Sequence, residues 1–221
     1  PLAIVSYQSA VRSSSIDIYY FWMWFPDPGL NKMWTPLEGD SALFEEYLKA
    51  LNINDVSVDD VYCFDPLAGM SNLNGVIVNY PLSFNVHLPS RQSTNPHIHF
   101  VKQDIENACG TVALLHLVRN TGLLLVGKPL KDYEGIHESF ASKGSTEIDN
   151  DTEMHYIAIV LVDGEILWLD GRRHGVIVLS EHVDQSDFGL KLSRMIPEIF
   201  DITSGNGPDC LAAFAFSLLK L

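Results

Sequence analysis

The sequence predicts a mixed α/β (α+β) fold with antiparallel pairing, on three observations. Helix-patterned and β-rich runs interleave along the chain. Two of the β-rich runs flank Asp163-Gly164, the strongest short-range hairpin signal. At 221 residues and 47% hydrophobic, the chain can bury one sizeable core.

Helical patterning predicts helices over Ser41–Leu51, Cys109–Arg119 and Asp187–Ile196, the last stopping before Pro197, which lacks the N–H that a helix interior needs. Strands are expected over Val58–Phe64, Gly75–Tyr80, His97–Lys102, His155–Val162, Glu165–Asp170 and Ala212–Leu218, where β-branched, aromatic and alternating residues concentrate. Gly127 to Glu153 is rich in Gly, Ser, Asp and Glu and reads as a long, mobile connection. No internal repeat or low-complexity tract is present.

Cys109 carries the most chemical information. It opens an apolar helical run, where unpaired backbone N–H groups and the positive end of the macrodipole favour a thiolate and can bind an oxyanion. Downstream, a two-residue loop at Asp163-Gly164 sets His155 opposite Arg172 and Ile157 opposite Asp170. His155 and Asp170 are then diagonal neighbours on one face, about 7–8 Å apart at the backbone, within reach of an imidazole and a carboxylate. Cys109 as nucleophile, His155 as general base and then acid, Asp170 as the group fixing the imidazole tautomer, and Gln103 as an oxyanion donor beside the Cys109 N–H describe a papain-type hydrolytic centre.

Each residue taken singly has a plainer reading. A cysteine on a helix is usually a small core hydrophobe, a histidine at a strand start a structural group, and an Asp before Gly a turn former. The spacing of the set gives it weight. His116, two helical turns beyond Cys109, reads as a core histidine, and Asn107 as a shaper of the turn into the helix. Arg172 and Arg173 read as surface ion-pair formers rather than contacts for a substrate tail. His137, His174 and His182 show no metal-ligand spacing.

The stretch Gln103, Asn107, Ala108, Cys109, Gly110, Leu114, Leu115, His116 resembles the active-site signature of the ubiquitin carboxyl-terminal hydrolases, in which Gln and Asn precede a small residue, Cys and Gly, with two aliphatics and His following. Leu117 and Arg119 depart from the small residues preferred next, a difference of helix packing rather than chemistry. Trp34 to Leu51, Asp60 to Asp65, Val76 to Pro81, His155 to Arg172 and Ala212 to Leu218 are similar to further segments of that family, so the resemblance covers most of residues 33–221. It implies an α/β/α sandwich around an antiparallel sheet, a knotted backbone, and a thiol hydrolase that needs no cofactor or metal and cleaves after the terminal glycine of ubiquitin or a ubiquitin-like protein. It also implies a crossover loop over the active site, at about 127–153 here and shortened, since 46 positions separate Cys109 from His155. A catalytically impaired ubiquitin-binding module and a papain-like peptidase for other peptides are the alternatives.

Composition fits this expectation. A net charge of −14 disfavours nucleic acid and suits a basic protein partner. No apolar stretch approaches the roughly 20 residues of a membrane-spanning helix. Cys63, Cys109 and Cys210 are an odd, sparse set without zinc spacing, which points to a reducing compartment, the cytoplasm or also the nucleus, and a monomer is expected. Residues 1–32, with the aromatic cluster Ile18 to Phe25, show no clear secretory signal and have no counterpart in the family. They are read as an extension of unassigned status, either translated upstream sequence or a docking strip.

Overall fold

Asp40 starts the first helix. Its backbone is extended and its carboxylate accepts the Leu43 N–H at 2.8 Å, capping α1 (Ser41–Ala50), whose Phe44, Tyr47 and Leu48 share one buried face. The computed structural model describes residues 33–124, 127–144, 153–208 and 210–219, so the aromatic cluster Ile18 to Phe25 lies outside the described residues. After α1 come β1 (Val56–Asp60), a 3-10 turn (Asp65–Gly69), β2 (Leu73–Pro81), α2 (Cys109–Asn120), a second 3-10 turn (Leu130–Tyr133) and α3 (Glu134–Ala141). β3 (Met154–Val162), β4 (Glu165–Leu169), β5 (Ile177–Ser180), α4 (Gln185–Ile199) and β6 (Ala212–Leu218) complete the order.

The six strands form one sheet in the order β1-β6-β2-β3-β4-β5, and every pair is antiparallel. Alternation along its strands makes two cores. One face packs Ile77, Ala158, Val160 and Leu167 with residues of α1, α2 and α3, while the other packs Val76, Val78, Ile157, Ile159 and Trp168 with Phe188, Leu192 and Ile196 of α4. The central strands are therefore nearly continuous apolar runs, as burial on both faces requires. Helices on both faces make the mixed α/β architecture that the sequence predicts.

The hairpin forms in the expected register. Ala158 pairs with Leu169 through to Val162 with Glu165, and both loop residues take positive φ, 48° at Asp163 and 81° at Gly164, the geometry that matches the twist of the strands.

Five segments depart from expectation. Residues 97–102 form no strand: the His99 N–H and carbonyl pair with the Asn120 side chain, and the Val101 N–H pairs with His116 Nε2, so the segment lies along α2 instead of joining the sheet. α4 runs past Pro197 to Ile199, losing the bond that residue 197 would donate to Ser193, while buried Ile199 and Phe200 hold its end. β1 is centred earlier, at Val56–Asp60, and β5 is an additional strand of four residues. The polar stretch after Gly127 contains α3, whose His137, Phe140 and Ala141 are buried.

Candidate active site

α2 begins at Cys109, and no side chain caps it, because Ala108 stands at the N-cap and the first turn carries no acidic residue. Asn107 holds a left-handed φ of 61°, which asparagine tolerates better than most residues, and so turns the chain into the helix as expected. Cys109 is 8% exposed and lines a cleft of about 430 Å³ together with Gln103, Asn107, His155 and Arg172. Met33, Leu82, Ile105 and Met154 give that cleft apolar walls, and Asp104 and Glu106 add acidic ones.

His155 is the second residue of β3, opposite Tyr80 of β2, with the two rings edge-to-face at 6.0 Å. Asp170 directly follows β4. The hairpin register brings them together: His155 Nε2 lies 2.7 Å from Asp170 Oδ1, and both residues are buried. The same oxygen accepts the Arg172 N–H at 2.9 Å, and Oδ2 lies 3.3 Å from Arg173 Nε. A carboxylate only accepts, so Nε2 carries the hydrogen and Nδ1 is the nitrogen left for another partner. The Cys109 side chain shares the cleft with the ring and is near enough to act on its titration.

Electrostatics reinforce this geometry. Burial pushes the His155 pKa down, but the bond to Asp170 and the pull of Asp170 and Cys109 outweigh it and raise it to about 9. Burial likewise pushes Asp170 up, yet the His155 bond and charge, the Arg172 N–H and Arg173 hold it below the usual carboxylate range. At neutral pH the imidazole is therefore positive, in the same cleft as the sulfur.

Gln103 lines the same cleft. Its side-chain Nε2 donates to the Ile105 carbonyl at 3.3 Å, a long bond, and among the described residues its buried Oε1 has no partner. Its backbone N–H donates to the Gly171 carbonyl at 2.9 Å. Gly171 is where three pieces of the site meet: a Cβ there would stand 2.6 Å from Val112 Cγ1 of α2 and 3.0 Å from Gln103 Cβ, so only glycine permits the approach. Lys102 Nζ fixes the following turn by donating to the carbonyls of Arg172 and Arg173 at 2.9 and 3.0 Å. Sequence reading missed Gly171 and Lys102, whose roles arise from contacts between segments far apart in the chain.

The other singled-out residues have structural places. His116 is fully buried, accepts the Val101 N–H at 2.9 Å and stacks on Phe100; burial lowers its pKa to about 4. Arg173 makes the ion pair with Asp170, while Arg172 lines the cleft. Among the described residues no group of His, Cys, Asp or Glu is arranged to hold a metal ion.

A thiol, an imidazole in the same cleft and a buried carboxylate behind the imidazole are the kinds of group that cysteine hydrolases use. The chain belongs to ubiquitin carboxyl-terminal hydrolase family 1, whose family model matches residues 34–134 and 126–201, and the members of that family are cysteine-type deubiquitinating enzymes.

Among curated proteins the chain is similar to ubiquitin carboxyl-terminal hydrolase 3 of Arabidopsis thaliana, with 27% identity covering 66% of this chain and 79% of that protein. It is 30% identical to ubiquitin carboxyl-terminal hydrolase 2 of Schizosaccharomyces pombe, covering 62% and 58% of the two chains. Identity to isozyme L1 of Rattus norvegicus is also 30%, covering 37% and 48%. The chain thus spans about half the length of the last two relatives. Its fold matches the Trichinella spiralis UCH37 catalytic domain bound to ubiquitin vinyl methyl ester, with a TM-score of 0.61 and 18% identity over 84% of this chain and 95% of that one.

Proposed function

We propose that this chain is a thiol hydrolase that cleaves peptide, isopeptide or ester bonds after the C-terminal glycine of ubiquitin or a ubiquitin-like protein. The observation that carries the reading is the His155–Asp170 pair at 2.7 Å, with the same ring lining one cleft with a thiol at the uncapped start of α2. Family membership and the likeness to a fold solved with a ubiquitin ester support ubiquitin as the partner.

In this mechanism the Cys109 sulfur attacks the carbonyl carbon of the terminal glycine. The oxyanion that forms is met by the Cys109 N–H and by the Gln103 amide, whose second hydrogen is free when the first holds the Ile105 carbonyl. Protonated His155 gives its Nδ1 proton to the leaving amine or alcohol as the carbon–heteroatom bond breaks, leaving a thioester. Neutral His155 then takes a proton from water, the hydroxide attacks the thioester carbonyl, and the thiolate leaves and recovers the ring as its cationic partner. Asp170 keeps the hydrogen on Nε2 throughout, so Nδ1 always faces the reacting atoms. A glycine-glycine tail suits a narrow cleft that side chains would not enter. No cofactor has a part in these steps.

The protein acts as a monomer in the cytoplasm or nucleus, its net charge of −14 meeting a basic face of the partner. Residues 33–221 form the catalytic domain, and the 127–153 segment is a shortened crossover that limits the size of the leaving group. The test is labelling with ubiquitin bearing a C-terminal electrophile, read by intact mass. One added ubiquitin on wild type and none on Cys109→Ala is expected, with Cys109→Ala still binding ubiquitin in calorimetry. No adduct on folded wild type that binds ubiquitin would leave a binding module instead.

A further inference from the structure

The first turn of α2 is held from behind by a buried chain of hydrogen bonds that the hydrolytic steps do not use. Thr111, two residues past Cys109 and fully buried, bonds through Oγ1 to the Tyr47 hydroxyl of α1 at 2.9 Å and to His137 Nδ1 of α3 at 2.8 Å. His137 is also fully buried. Its Nε2 lies 2.7 Å from the Thr35 carbonyl, and its ring packs 4.5 Å from that of Trp34.

One end of the chain fixes every proton in it. A carbonyl only accepts, so His137 Nε2 carries the hydrogen; burial lowers the His137 pKa and keeps the ring neutral, so Nδ1 is bare. Thr111 must then donate its hydroxyl hydrogen to Nδ1, and Tyr47 must donate to Thr111. Thr35 in turn donates its N–H and hydroxyl to the Glu138 carboxylate at 3.0 and 2.8 Å. Its neighbour Trp34 donates its backbone N–H to the Glu106 carbonyl at 3.0 Å, three residues before Cys109. The bonds close a ring that runs from α3 through residues 34–35 to Glu106, along the chain past Cys109 to Thr111, and back to His137.

We propose that Thr111 and His137 are positioning residues for Cys109, fixing the first turn of α2 so that the sulfur is presented to His155. Neither touches the substrate. The segment between Cys109 and His155 in sequence thus acts on the nucleophile from behind, through α3. A sulfur displaced by about an ångström from its partner loses rate by as much as 10²-fold in enzymes generally, so a lost anchor here is legible in kinetics. The inference deepens the hydrolase reading and rests on it only where turnover is the readout.

The test is Thr111→Val, close in shape but without the hydroxyl, with Thr111→Ser as the conservative control. Alkylation of Cys109 by iodoacetamide, followed by peptide mapping from neutral to alkaline pH, reads the thiol without any need for ubiquitin. We expect Thr111→Val to slow alkylation about tenfold or more and to lower kcat on a ubiquitin C-terminal amide similarly, with KM unchanged and Thr111→Ser restoring both. Where Thr111→Val lacks a cooperative melt, Thr111→Ala, which removes the same hydroxyl, is read against the same criteria. A folded variant alkylated at the wild-type rate, or a Thr111→Ser as slow as Thr111→Val, overturns the proposal. Slowed alkylation in a protein whose wild type turns over no ubiquitin substrate overturns the hydrolase reading and leaves the positioning role standing.

Discussion

Replacing Asp170 by asparagine removes the charge behind His155 and leaves no good orientation for the new amide. If its oxygen takes the place of Oδ1, it can still accept from His155 Nε2 and from the Arg172 N–H, but its NH₂ then opposes the Arg173 guanidinium. In the flipped orientation the NH₂ opposes the Arg172 N–H and forces the hydrogen from Nε2 to Nδ1, so the ring points N–H at the sulfur and cannot take its proton. Raising the imidazole from 6.5 to about 9 corresponds to about 3 kcal/mol of favourable interaction, counted once for the pair and its thiol neighbour. A folded pKa above the unfolded one stabilises the protein fully below about 6.5, and that contribution is lost as pH rises through about 9. Wild type should therefore lose stability in urea titrations between neutral pH and pH about 10, while Asp170→Asn should be nearly flat there. In the variant the carboxylate charge no longer acts on the ring, so the His155 pKa, read by NMR titration, should fall by at least one unit, and kcat should drop about 10²–10⁴-fold. A His155 pKa still near 9 in folded Asp170→Asn would refute the assignment of the shift to that carboxylate.

Gly171→Ala would place a methyl 2.6 Å from Val112 Cγ1 and 3.0 Å from Gln103 Cβ. A stability loss of about 1–3 kcal/mol in chemical denaturation and a lower kcat are expected; a variant with wild-type values of both would show that these contacts yield freely. His116→Leu leaves the buried Val101 N–H without its acceptor and should cost about 1–3 kcal/mol, with alkylation of Cys109 unchanged. Because the folded pKa of His116 lies below its unfolded value, wild type loses stability as pH falls from about 6.5 toward 4, and His116→Leu should lack that part of the slope; an unchanged slope would assign it to other groups.

Much of the site was legible because it is built from short-range rules. A two-residue Asp-Gly loop fixes a register, the register fixes which side chains are diagonal neighbours, and His155 and Asp170 follow from it. A helix start is equally local, so Cys109 at the beginning of α2 and the turn at Asn107 could be read from the run of residues around them. What escaped depends on partners far away in sequence. Residues 97–102 carry a strand pattern, but the groups that satisfy their backbone are the side chains of His116 and Asn120, which no local window contains. α3 is short and flanked by Gly, Ser and Asp, and only burial of His137, Phe140 and Ala141 against the core makes it a helix. β5 is four residues long, too short to show a period. Pro197 marked a stop that packing of Ile199 and Phe200 overrode.

The Cys109 thiol and the His155 imidazole come from parts of the fold that sequence order keeps apart: α2 lies against one face of the sheet, and the hairpin is part of the sheet itself. Two such bodies can be stable separately and still miss each other by an ångström, which is enough to lose the reaction. Gly171 removes that freedom from the front, because its carbonyl holds the Gln103 N–H while its missing Cβ lets Val112 of α2 close onto the residue after Asp170. The buried chain from Tyr47 through Thr111 and His137 removes it from behind. The first turn carrying the thiol is thus held at two neighbouring positions, Thr111 and Val112, which point in different directions from α2. Weakening either should slow the thiol in a folded protein, and because the two contacts share one rigid first turn of helix, their effects should combine non-additively in a Gly171→Ala, Thr111→Val double-mutant cycle. Strict additivity in the alkylation rate would mean that the two anchors act on separate motions, and the picture of one helix turn held at two positions would have to be abandoned.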